Sequence, residues 1–293
     1  MRRSGTTILY DALREDAELQ CFYEPLREED VTEGGGSGAR PDDAFAETRE
    51  LRSQFRDQRY PEIELEEFNW GGPRAPELEL EPQLPEHCRE LLRHLIAQGP
   101  GVAIKETRLH HKIGALAELD PQLVLVHLVR DPRAVAASTL LGRRRRLDLY
   151  PDADAFFGRR TERKLWSSRA ISERLANHDR PAIADAAPDV LRPLAVWAAA
   201  FETTHDDGRR LLGDRYLLVR LENLRADPAS ALASIYGRLG RQASPEAVAW
   251  ARETVRAETE VHLAGDRRWA DAIRAAGAEP ALEAAGYADL VAR

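Results

Sequence analysis

The chain has 293 residues and 32.8 kDa, with 43% apolar and 31% charged residues, a globular composition that allows a sizeable core in one or two α/β units. A net charge of −8 and a pI near 5.6 give no global attraction to nucleic acid or anionic membrane. No apolar run reaches ~18 residues, two cysteines (Cys21, Cys88) form no framework, and no signal-peptide h-region follows Arg2 and Arg3, so cytoplasmic residence is expected.

In chain order, Thr6 or Thr7 is predicted to cap a helix whose apolar positions are Ile8, Leu9, Ala12 and Leu13. Residues 20–24 form a short apolar patch ending at Pro25, and 29–43 are acidic and glycine-rich, reading as a surface loop. A helix is predicted near 44–58, then irregular acidic chain, then a helix from Pro85 to Gln98 stopped by Gly99. Gly101 to Lys105 reads as a short strand and Gln122 to Val129 as a strand covered on both faces, with 111–119 helical between them. Pro132 opens another helix. The stretch 143–189 is poorly patterned, and the run Arg143 to Arg146 reads first as a solvated helix end. Then come a helix at about 190–212, a strand at Tyr216 to Leu221, a helix from Pro228 to Gly240, a helix at 245–262 and a mixed tail with Trp269 and Gly286-Tyr287. This alternation predicts a doubly wound α/β sheet.

Three constellations could carry chemistry. In Arg3-Ser4-Gly5-Thr6-Thr7, a glycine precedes a helix start, so backbone N–H groups and hydroxyls can converge on an anion. The loop has no GxxxxGK and no lysine, which argues against a magnesium–ATP kinase. Arg130-Asp131-Pro132-Arg133, with Ser138 two turns on, sits where a buried strand passes into a helix, the ligand-binding edge of open α/β sheets. Lys105-Glu106-Thr107-Arg108 ends the other apolar strand. His110 and His111 adjoin it without a third ligand at useful spacing, so no metal site is expected. His127, inside an apolar strand, reads as a satisfied core histidine.

The N-terminal RRSGTT resembles the 5′-phosphosulfate loop of sulfotransferases that use 3′-phosphoadenosine 5′-phosphosulfate. Residues 123–138, LVLVHLVRDPRAVAAS, resemble the 3′-phosphate signature of the same superfamily, most closely its carbohydrate 6-O-sulfotransferase branch. Phe22 to Leu26, Ile104 to Leu109, Tyr216 to Leu224 with Asp227-Pro228, and the tail around Trp269 and Gly286-Tyr287 agree in order. The resemblance implies one domain over 1–293, a P-loop-like parallel sheet flanked by helices, with variable substrate-side segments at about 29–85 and 143–189.

It also implies site roles. Arg3, Ser4, Gly5, Thr6 and Thr7 hold the 5′-phosphate and bridge to the sulfuryl group; Arg130 and Ser138 hold the 3′-phosphate; Arg220 is a further nucleotide donor. The general base is Glu24 first and Asp11 second, no metal is needed, and the acceptor is a carbohydrate or another small hydroxylated molecule. A nucleotide-dependent kinase and a degenerate non-catalytic nucleotide- or partner-binding protein stay open as alternatives. In the resembled fold an apolar strand precedes the phosphosulfate loop, whereas Met1 and Arg2 alone stand before Arg3 here. A form extended by about ten residues with a β-like run is therefore expected to be more stable and more active.

Overall fold

The computed structural model describes residues 5–26, 43–64, 67, 76–142, 147–160, 169–180, 183, 187–255 and 261–291. Arg3, Ser4, the glycine-rich loop and the run Arg143 to Arg146 lie outside them. In chain order the elements are α1 (Thr6–Arg14), β1 (Gln20–Tyr23), α2 (Asp43–Arg59), α3 (Glu86–Ile96), β2 (Val102–Lys105), α4 (Ile113–Leu119), β3 (Leu125–Val129) and α5 (Pro132–Leu141). They continue with α6 (Ala153–Gly158), α7 (Arg169–Arg174), α8 (Leu191–Leu212), β4 (Tyr216–Arg220), α9 (Leu221–Ala226), α10 (Pro228–Arg238), α11 (Pro245–Thr254), α12 (Arg268–Ala275) and α13 (Glu279–Ala284).

The alternation of helix and parallel strand is as expected, but the described strands form two small sheets rather than one. In one, β1 pairs in parallel with β2, from Gln20 opposite Val102 to Tyr23 opposite Lys105. In the other, β3 pairs in parallel with β4, from Leu125 opposite Tyr216 to Val129 opposite Arg220. Each pairing joins segments about 80 to 90 residues apart, as parallel strands require a crossover. The patch at 20–24 is thus a strand, and Leu221 begins a helix instead of ending β4.

Three of the apolar clusters among the described residues hold these layers. Leu9 and Ala12 of α1 pack with Leu128 of β3, Val219 of β4 and Leu232 and Ile235 of α10. Phe22 of β1 packs with Phe55 of α2 and with Leu91, Leu92 and Leu95 on one face of α3. The largest cluster surrounds Trp197 of α8, with Val135 and Leu140 of α5, Trp269 of α12 and Tyr287 of the tail. Burying each such Leu or Phe contributes roughly 1.5–3 kcal/mol. Because α1 packs against both β1 and β2 while its Leu9 and Ala12 join the cluster of β3 and β4, it braces the two sheets against each other.

Candidate active site

The carboxyl ends of both sheets meet at the start of α1. Gly5 caps this helix in the left-handed region (φ 84°, ψ 13°), and Ile8 N–H donates to Gly5 C=O at 2.9 Å. Neither Thr6 nor Thr7 caps it: the helix begins at Thr6 and, among the described residues, no side chain closes its N-terminus, so the expected hydroxyl cap is replaced by glycine geometry. A β-carbon on Gly5 would lie 2.6 Å from Cδ2 of Leu221, just past the end of β4. On the other side, Thr7 Oγ1 is 3.2 Å from the hydroxyl of Tyr23, the last residue of β1.

Tyr23 leads directly into a buried charged cluster. The Lys105 ammonium lies 4.1 Å from the centroid of the Tyr23 ring, a cation–π position, and pairs with Glu24 Oε1. Both side chains are almost fully enclosed, at 8% and 6% exposure, so the pair is poorly screened. Thr107 Oγ1 donates to the same Glu24 oxygen at 3.3 Å. Glu24 itself has φ 45°, left-handed backbone that a non-glycine residue adopts only when its surroundings over-determine it. They do: Glu24 N–H donates to Lys105 C=O at 2.8 Å, Arg52 Nη1 donates to Pro25 C=O at 3.1 Å, and Leu26 N–H donates to Glu106 Oε1 at 3.1 Å. Burial, with the neighbouring Glu24 charge second, raises the Glu106 carboxyl to about 7.

The ends of β3 and β4 form the other half. Asp131 caps α5, accepting from Arg133 N–H at 2.8 Å, as its place before Pro132 led one to expect. Its carboxylate also takes the Arg133 fork, at 2.8 Å from Nη2 to Oδ2. Glu222 accepts from Asp131 N–H at 2.8 Å and from the Tyr287 hydroxyl at 2.6 Å, tying α9 to α5 and to the tail. Arg220 Nη1 donates to Gly286 C=O at 2.7 Å, with its guanidinium carbon 4.1 Å from the Tyr287 ring centroid. Arg220 therefore anchors the tail, a role its sequence position did not suggest. Arg130 is half-buried between β3 and α5, and Ser138 is half-buried on the second turn of that helix.

Among the candidate site residues, the structure joins Thr7, through Tyr23, to Glu24, and brings in Lys105 and Thr107. Asp11 is buried at 8% exposure one turn along α1 from Thr7. His127 is half-buried beside the core: its Nδ1 lies 2.9 Å from the Tyr216 hydroxyl, and desolvation lowers its pKa to about 3. Among the described residues no group of three or more His, Cys, Asp or Glu is arranged to hold a metal ion, and no helix is long and apolar enough to cross a membrane.

Residues 1–146 match the sulfotransferase family. The match supports membership of the broad sulfotransferase superfamily and selects no branch of it. No curated protein matches the chain. The sulfotransferase-type region runs from the α1 loop through α5, so it contains Gly5 to Thr7, Glu24, Lys105, Arg130 and Ser138, while Arg220 lies beyond it.

Proposed function

We propose that the chain transfers a sulfuryl group from 3′-phosphoadenosine 5′-phosphosulfate to a hydroxyl of a carbohydrate or another small hydroxylated acceptor. The observation that carries this reading is the seat of the α1 start. An uncapped, glycine-initiated helix N-terminus, suited to an anion, lies one hydrogen bond from Tyr23 and so beside the Glu24–Lys105 pair. In this reading Arg3, Ser4, Gly5, Thr6 and Thr7 hold the 5′-phosphosulfate, and Arg130 and Ser138 hold the 3′-phosphate. Arg220 acts at the nucleotide edge by fixing the tail.

The acceptor oxygen bonds to sulfur as the bond from sulfur to the bridging phosphate oxygen breaks, and 3′,5′-bisphosphoadenosine leaves with the electron pair. Glu24 takes the hydroxyl proton; Asp11 is the second choice of base. Lys105 holds the Glu24 carboxylate in place beforehand. Together with Arg3 and the α1 N–H groups, it then supplies positive charge where the leaving oxygen becomes negative.

Calorimetric titration with 3′,5′-bisphosphoadenosine, against ATP, tests the reading. Binding of the bisphosphate that is lost in Arg130→Ala, with no comparable ATP binding, is expected. A folded sample that binds no bisphosphate overturns it. Transfer of labelled sulfate to an acceptor panel then separates an enzyme from a binder, and Glu24→Gln is expected to stop turnover while sparing bisphosphate affinity.

A further inference from the structure

We infer that Glu106 is a positioning residue for Glu24: its carboxylate holds the Leu26 N–H and thereby keeps the Glu24-Pro25-Leu26 turn in the conformation that aims Glu24 at Lys105 and Thr107. The inference rests on the reading of Glu24 as the base. It starts from the strain at Glu24, whose φ of 45° does not persist in a non-glycine residue unless neighbours impose it. Three bonds impose it here. One is the backbone bond from Glu24 N–H to Lys105 C=O, which any residue at 24 makes. The other two come from side chains, Arg52 on the Pro25 carbonyl and Glu106 on the Leu26 N–H.

Of these two, Glu106 is tied to the reacting end. It follows Lys105 directly along β2 and precedes Thr107, so the three residues act on one turn from one strand end. Lys105 and Thr107 hold the Glu24 carboxylate, and Glu106 holds the backbone two residues beyond. Arg52, by contrast, reaches the turn from α2. The charged and titratable groups around Glu106 are Glu24 from the turn, Lys105 from β2, and Cys88 of α3, which senses both Glu106 and Arg52. A carboxyl oxygen of Glu106 accepts the Leu26 N–H whether or not the group carries its proton, so the turn beyond Glu24 is held by this one neighbour.

The test compares Glu106→Ala and Glu106→Gln with Glu24→Gln. Glu106→Ala removes the acceptor, so kcat is expected to fall by about 10- to 100-fold through misplacement of the base, with bisphosphate affinity unchanged. Amide exchange at Leu26 is expected to speed up. Glu106→Gln keeps an oxygen for Leu26 N–H and is expected to recover most of kcat together with the slow Leu26 exchange. Loss of fold in the Ala variant leaves the Gln variant to decide. A folded Glu106→Gln with kcat reduced by about 10-fold or more, or unchanged kcat and Leu26 exchange in Glu106→Ala, overturns the inference while Glu24→Gln remains inactive. Full turnover in Glu24→Gln instead overturns the base assignment itself, and the positioning role with it.

Discussion

Gly5 is packed against Leu221 so closely that a β-carbon would stand 2.6 Å from Cδ2 and 2.8 Å from Cδ1. The same residue has φ 84°, which side-chain-bearing residues rarely adopt. Gly5→Ala therefore meets two penalties, steric and conformational, together on the order of 2 kcal/mol. Leu221 can move only at the expense of the cluster it shares with Leu9 and Val219. The expected outcome is a lower urea midpoint and weakened bisphosphate binding, since the start of α1 must shift. A variant with unchanged midpoint and affinity would show that the loop does not depend on this contact.

The Glu24–Lys105 pair leads to a coupled prediction. Removing Lys105 alone strands a nearly enclosed carboxylate, which typically costs about 3–5 kcal/mol. Lys105→Met is expected to lose stability on that scale at neutral pH. Adding Glu24→Gln to it is expected to restore a good part, because the uncompensated charge is then gone. The two substitutions would thus combine far less than additively in urea unfolding. Simple additivity would mean that water, rather than Lys105, balances Glu24.

Much of this arrangement could be read in advance, and the failures have physical causes. The Asp131-Pro132 start of α5 and the apolar runs of β2 and β3 are local signals, and local signals survive folding. From sequence, β1 reads only as an apolar patch, because four residues running into Glu24-Pro25 carry little periodicity; its strand character comes from pairing with β2. The continuous sheet expected from strand–helix alternation is two sheets among the described residues, since alternation specifies element types and not which edges pair. Lys105 reads as a strand-end residue and Glu24 as the close of an apolar patch. Nothing in either segment shows that a partner 81 residues away neutralises the other.

Arg220 separates anchoring from nucleotide binding. Its Nη1 is engaged by Gly286 C=O and its plane by Tyr287, whose hydroxyl in turn holds Glu222. Arg220→Ala is expected to lose about 1.5–3 kcal/mol of stability, the scale of a charge-assisted hydrogen bond, with faster amide exchange in the tail. Arg130→Ala is expected to reverse the balance, with a larger loss of bisphosphate affinity than of stability. Urea unfolding and calorimetry on the two variants check this. An Arg220 variant of unchanged stability would remove the anchoring role.

Two groups that folding desolvates pull the pH dependence of stability in opposite directions. His127, whose folded value falls from 6.5 to about 3 because its ring is desolvated, is neutral in the folded chain while the unfolded chain takes up a proton. Its contribution is present above about 6.5 and is lost as pH falls towards 3, by about 1.4 kcal/mol per pH unit within that window. Glu106, raised from 4.5 to about 7, does the reverse: the folded chain holds the extra proton, so its contribution is present below 4.5 and is lost as pH rises through 7. Between pH 4.5 and 6.5 the slopes of these two groups nearly cancel, while His110 and His111, lowered by desolvation as well, add to the His127 side. Glu106→Gln is therefore expected to gain stability relative to the parent as pH rises from 4.5 to 7. A His127→Gln variant is expected to gain on the parent as pH falls from 6.5 to 3, after allowance for its lost contact with the Tyr216 hydroxyl. Denaturant unfolding at half-unit pH steps measures both differences. Parallel stability curves for parent and variants would show that neither group changes its proton affinity on folding.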